Sequence, residues 1–236
     1  MIKNTSRQTG LWSFHRKMMR AIPRHDLDRH AKSVRVLPSQ HLRSSIEKKY
    51  IVAKEPIEEA QIQPASIDLR LGDTAYELKS SFLPGNYSSI LSKIDELQLC
   101  VDRIDLTKPI ILKPDHVYLV EIQEQLYLPS NIEAKANPRS TTGRADLFTR
   151  LLCDYNSEFE SVPLGYQGKL FVEIVPRTFH ICVRKGTRVN QLRLNMLVYG
   201  GDGPDHDSQH ETEHISYPEV QQHSRFLPKL LSVNLV

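Results

Sequence analysis

The sequence predicts a mostly β protein, a closed or sandwiched antiparallel fold of the distorted jelly-roll type with a few short helices. Three observations predict it. From Pro56 onward the apolar residues fall in short runs rich in β-branched side chains, a composition that suits half-buried strands. Proline and glycine, 14 and 10 among 236 residues, interrupt those runs and mark turns. The helices of about 10–15 residues that would join parallel strands are missing.

The elements follow in chain order. Residues 1–35 read as a basic arm outside the fold: nine Lys/Arg against two Asp give it +7 of a total of +3, leaving −4 for the remainder. Its Arg-rich, acid-poor composition fits a disordered leader, a transit peptide or a segment touching nucleic acid, and it decides nothing about function. Residues 36–199 are expected to form one domain. Ser39 is expected to cap a helix over His41–Lys49, with Leu42 and Ile46 on one face. Ile67–Leu71 alternates apolar and polar residues and reads as a strand that turns at Gly72. Ser88–Leu99 carries Ile90, Ile94 and Leu97 at helical spacing, which predicts a helical insertion. Strands are then expected at Ile110–Leu112, His116–Ile122, Ile132–Ala136, Lys169–Val175, His180–Val183 and Arg188–Val198. Residues 200–236 read as a Gly/Asp/Pro linker and a tail.

The bulk composition narrows the function classes. No stretch reaches the roughly 18 apolar residues of a membrane-spanning helix. The three cysteines, Cys100, Cys153 and Cys182, are odd in number and far apart. They make no disulfide framework, so reduced thiols and a cytoplasmic location are expected.

Three segments carry the chemistry. The first is Gln63–Gly72 (QPASIDLRLG), the second Pro138–Arg144 (PRSTTGR) and the third Gly165–Ile174 (GYQGKLFVEI). The second places two guanidiniums, three hydroxyls and a glycine within Arg139–Arg144, a set able to aim donors at phosphate oxygens. A solvated polar loop would have the same composition. In the third, alternation puts Leu170 and Val172 on one face of a strand and Phe171, Glu173 and Val175 on the other. A carboxylate among apolar neighbours is costly unless it is paired or functional. It can take a proton from water, or it can pair with an arginine on a neighbouring strand.

With these motifs in this order, the chain resembles the dCTP deaminase family, itself a relative of the trimeric dUTPases. The likeness runs from about Val36 to Val198 and implies a dUTPase-like β-barrel. By resemblance, Glu173 is the general base that activates water, Arg144 helps to hold the reacting site and Ser140 is the loop serine. Arg139, Thr141, Thr142 and Gly143 are expected to bind the triphosphate, with Gln191 where relatives carry a late-strand glutamine. The implied reaction is metal-free hydrolysis of dCTP to dUTP and ammonia, with Mg²⁺ carried by the triphosphate and no zinc. The implied partners are deoxynucleoside triphosphates, dCTP first and dUTP or dTTP as further ligands, and a homotrimer with its site between subunits. Neither DNA nor a membrane is expected as a partner.

Further features of the sequence bear on this reading. A zinc deaminase would need P-C-x-x-C, and the chain has no C-x-x-C. The Asp that serves dUTPases two residues before the Gly of the third motif is replaced here by Pro163, which argues against dUTP diphosphatase activity. Many dCTP deaminases keep that Asp as well, and Phe159–Leu164 is therefore expected to be a remodelled pocket wall. His210–His214 (HETEH) satisfies a zinc-protease pattern, but it sits between a linker and Pro218, where a polar surface helix is the simpler reading. The family's triphosphate-closing arm finds no match after Val198. Ser232–Leu235 echoes Ser66–Leu69, as if a second domain were beginning. A catalytically silent nucleotide-binding or assembly domain of the same fold is the alternative.

Overall fold

The computed structural model describes residues 31–199, with side chains from 33 to 198. The basic arm up to residue 30, the tail, the HETEH pattern and the Ser232 echo lie outside the described residues.

The described chain is a nearly closed, barrel-like antiparallel sheet with short helices at its margins, as the alternation predicts. Its strands are β1 (Ala31–Val36), β2 (Ile51–Ala53), β3 (Ile62–Gln63), β4 (Ser66–Leu78), β5 (Cys100–Asp105), β6 (Ile110–Leu112) and β7 (Val117–Tyr127). They continue with β8 (Ile132–Pro138), β9 (Leu147–Cys153), β10 (Ser161–Val162), β11 (Gln167–Pro176), β12 (Ile181–Val183) and β13 (Arg188–Tyr199). The helices are α1 (Ser39–Glu47), α2 (Ile90–Glu96) and α3 (Ser140–Arg144). The main sheet runs β10-β8-β13-β4-β7-β11-β9, with β1 on β13, β2 on β7 and both β3 and β5 on β4; β12 and β6 form a separate ribbon.

Several local expectations are corrected. Strand β1 starts inside the segment read as an arm, and it pairs with β13. Ser39 is the first residue of α1 rather than its cap; Pro38 occupies the cap position and makes no side-chain cap bond. Helix α2 is shorter than expected, and there Ser89 does cap, accepting from Ser92 N. Strands β5 and β9 and the helical turn α3 were not expected.

Gly72 does not end a strand. Strand β4 runs through it, pairing with β13 over Ile67–Arg70 and with β7 from Leu71 to Leu78. A Cβ at Gly72 would lie 2.6 Å from the backbone oxygen of Glu121, so no other residue lets the two strands approach this closely. The register shifts between Leu71 and Ala75, and the strand passes there from one half of the sheet to the other.

Burial follows the period of two. Leu170, Val172 and Ile174 of β11 join Leu69, Leu71, Val120, Leu151 and Leu192 in the main core. Phe171 points the other way, into a second cluster with Leu119, Leu152, Ile90 and Ile94 beneath α2.

A buried ion pair holds β4 to β7. Arg70 Nε donates to Glu124 Oε1 at 2.8 Å and Arg70 N donates to Oε2 at 2.8 Å. Gln61 Nε2 donates to Oε1 at 2.9 Å and to Asp68 O at 2.9 Å. The two Nη atoms of Arg70 donate to Pro56 O and Glu55 O, each at 3.0 Å. Side-chain exposure is 4% for Arg70 and 0% for Glu124, so removing one partner strands a charge without water. Arg70→Met is expected to cost about 3–5 kcal/mol, read as a fall in the urea midpoint at unchanged slope.

Candidate functional site

The first two sequence segments meet on β4 and α3, beside β13, while the third runs along β11. Asp68 is 2% exposed, and burial pushes its carboxyl above the ordinary range against the pull of Arg139 and Arg188. Arg139 Nη2 lies 3.3 Å from Asp68 Oδ2, near enough for an ion pair but not aligned as a hydrogen bond. Arg139 also donates from Nη1 to Arg188 O at 3.3 Å. This guanidinium ties the start of α3 to β4 and β13.

The polar turn is one turn of helix. Thr142 N and Gly143 N both donate to Arg139 O, at 3.0 and 3.2 Å. Thr142 is buried and its Oγ1 donates to Val189 O at 2.9 Å, which anchors the turn on β13. Ser140, Thr141, Gly143 and Arg144 are exposed. Gln191 is half-buried, and its Oε1 accepts from Ser66 Oγ at 3.3 Å. Of the expected phosphate ligands, then, Arg139, Thr142 and Gln191 bond to the protein, while Thr141 and Gly143 are exposed, as are Ser140 and Arg144, expected at the reacting site.

Glu173 lies elsewhere. It is 1% exposed and stands opposite Arg150 of β9. Arg150 donates to Glu173 Oε1 from Nη2 at 2.6 Å and from Nε at 3.1 Å. Within the described chain no residue of Arg139–Arg144 bonds to it. Pro176, at the α3 end of β11, faces Leu147; the strand between Glu173 and that end spans roughly 10 Å. The structure thus separates the polar turn from the carboxylate.

Arg150 is the residue the sequence reading missed. Its guanidinium carbon sits 3.7 Å from the ring centre of Phe159 and 5.0 Å from that of Phe148, and Nη2 also donates to Ser81 Oγ at 2.6 Å. A signal was available: Leu147–Cys153 reads LFTRLLC, an apolar run with one cation, as Gly168–Val175 is an apolar run with one anion beyond Lys169. Strands of that kind pair their lone opposite charges across the ladder.

The third motif is largely a folding device. Gly165 has φ +66, and a Cβ on Gly168 would meet the Tyr166 hydroxyl at 2.8 Å. That hydroxyl donates to Lys169 O at 2.6 Å and accepts from Asp154 N at 3.2 Å. Burial raises the Tyr166 phenol above its ordinary value. The loop before this motif is held by Glu160, whose Oε1 accepts from Leu151 N at 3.0 Å, and by Ser161, which accepts from Lys135 Nζ at 2.9 Å. Phe159, from the stretch expected as a pocket wall, covers Arg150. Among the described residues no group of three or more His, Cys, Asp or Glu is placed to hold a metal ion, and no helix is long and apolar enough to cross a membrane.

Burial pushes the Glu160 carboxyl above its ordinary value. A buried acid whose proton is held more tightly in the folded than in the unfolded chain loses stability as pH rises through its titration. Glu160→Gln keeps the acceptor for Leu151 N and removes the charge. It is expected to raise Tm at pH 7 and to leave it unchanged near pH 4, where the carboxyl is largely protonated in both states.

Comparison with known proteins gives a consistent answer. Residues 33–198 match the family model described as the 2'-deoxycytidine 5'-triphosphate deaminase (DCD) N-terminal domain. A dUMP-forming dCTP deaminase of Methanosphaera stadtmanae is 26% identical over 181 residues, 74% of this chain and 88% of that protein. A dCTP deaminase of Natronomonas pharaonis is 28% identical over 161 residues, 65% of this chain and 76% of that protein. The crystal structure of 2'-deoxycytidine 5'-triphosphate deaminase from Agrobacterium tumefaciens superposes with a TM-score of 0.66 at 38% identity. The match covers 70% of this chain and 49% of that one, so the chain spans about half the length of that relative.

Proposed function

Because the chain belongs to the family of 2'-deoxycytidine 5'-triphosphate deaminase N-terminal domains, we propose that it hydrolyses the exocyclic amine of dCTP. The observation that carries this reading is Glu173, a carboxylate 1% exposed on β11 and held through one oxygen. In the proposed step Glu173 takes a proton from water as the oxygen attacks the ring carbon bearing the amine. The proton passes to the leaving nitrogen, and ammonia departs. A positioned acid–base group of this kind contributes about 10²–10⁴-fold.

The exposed Ser140, Thr141 and Arg144 are proposed to meet the nucleotide, with Gly143 permitting close approach of the backbone. Arg139, Thr142 and Gln191 serve the same turn from beneath, through Asp68, Val189 and Ser66. The separation of Glu173 from the turn favours a site completed by a second copy, and a homotrimer is the assembly proposed. Mg²⁺ belongs to the triphosphate in this reading, and none of the steps passes through it.

Relatives divide between dCTP deaminases and dUMP-forming ones. Pro163 has no side-chain group able to activate water for attack on a phosphate, which supports dUTP as the product released. The alternative, a nucleotide-binding assembly domain without turnover, is favoured by the commitment of Glu173 to Arg150.

Ammonia release from dCTP with Mg²⁺ is expected for the wild-type chain, with dUTP as the nucleotide recovered by chromatography. Glu173→Gln is expected to reduce the rate by at least about 10²-fold while the variant still binds dCTP. Wild-type protein that binds dCTP without releasing ammonia would establish the silent reading. Recovery of dUMP and pyrophosphate would overturn the product assignment.

A further inference from the structure

We propose that Arg150 is a positioning residue for the reaction: it fixes Glu173 through Oε1 and leaves Oε2 to hold the attacking water. This inference rests on the deamination reading and on Glu173 as its base.

Two buried carboxylates in this protein allow the comparison. Glu124, 0% exposed, has both oxygens occupied, Oε1 by Arg70 Nε and Gln61 Nε2 and Oε2 by Arg70 N. That is a closed structural ion pair, with its acceptors used on protein donors. Glu173 is equally buried, yet both donors from Arg150 converge on Oε1. Among the described residues none donates to Oε2. With both Arg150 donors on Oε1, Oε2 is available to accept from the water that the proposed step requires.

The arginine is itself held on several sides. Phe159 and Phe148 lie along its guanidinium, Ser81 takes Nη2, and the β-ladder places its backbone opposite Glu173. Stacking restricts the plane of the guanidinium, and the plane sets the direction of its N–H groups. The clamp therefore fixes the rotation of the Glu173 carboxylate and the direction of Oε2. Only two parts of it lie outside the sheet, Ser81 after β4 and Phe159 before β10. Both segments make contact with the second hydrophobic cluster, through Phe82, Leu83 and Phe159.

Steady-state kinetics on dCTP with the full chain tests this, comparing wild type with Arg150→Met, Arg150→Lys, Phe159→Leu and Glu173→Gln. Misplacing a reacting group by about 1 Å costs on the order of 10²-fold, so kcat of Arg150→Met is expected to fall by about that factor. KM should stay within about threefold, since the interaction lost is one made in the transition state. Arg150→Lys should recover part of kcat, because lysine restores the charge without the plane, and Phe159→Leu should lower kcat less than Arg150→Met. Wild-type kcat in Arg150→Met, or a loss confined to KM or to Tm, would overturn the proposal. If Arg150→Met fails to fold, wild-type kcat in both Arg150→Lys and Phe159→Leu does so. Undiminished turnover by Glu173→Gln, or none by wild type, would instead remove the deamination reading on which the inference stands. Loss in Glu173→Gln beside a wild-type-like Arg150→Met would remove the Arg150 role alone.

Discussion

The ion pair between Arg70 and Glu124 is the constraint on which the rest of the fold depends. Two charges without access to water are tolerable only when each lone pair and each proton has a partner, and here Gln61, Glu55 O, Pro56 O and the Arg70 backbone supply them. The partners come from separate stretches of chain, so the network is complete only when β4, β7 and the segment before β3 are all in place. It sits next to the corner at Gly72, where β4 leaves β13 and joins β7. Hydrophobic burial supplies the driving force for the sheet, and the buried polar network selects one register from those that the apolar pattern would allow.

The same chemistry is used differently around Glu173. In one case the carboxylate is enclosed by donors on both oxygens; in the other a stacked arginine occupies a single oxygen. The polar turn at Ser140–Arg144 shows a parallel division between residues that bond inward and residues that face out. Thr142 and Arg139 are committed to β13 and β4, and that commitment is what holds Ser140, Thr141 and Arg144 at the surface.

The period of two along β11 and the Pro/Gly punctuation made the strands and their faces legible, and β6 was located to the residue. The motif order led to the family. What the sequence did not disclose depended on long-range partners. Strand β9 was missed because Leu147–Cys153 is apolar without clear alternation, and its strand character comes from pairing along its whole length with β11, at the end of the sheet order. Gly72 was misread as a turn because a glycine required by close backbone approach looks, in one dimension, like a glycine required by positive φ. For Arg139, expected at the phosphates, nothing local reveals that Asp68, 71 positions earlier, also faces it. For Glu173 both uses were foreseen, acid–base group and strand ion pair, and the structure supplies the arginine of the second without removing the first.

The corner at Gly72 has a consequence for how such a domain can vary. Because β4 takes its register from β13 before the corner and from β7 and β5 after it, the halves of this strand are aligned by different neighbours. The segment that carries α2 hangs from the second half, and its length can change without shifting a hydrogen bond in the first. A glycine that serves packing thus also acts as a joint between a part of the fold that must keep its dimensions and a part free to be lengthened, shortened or exchanged.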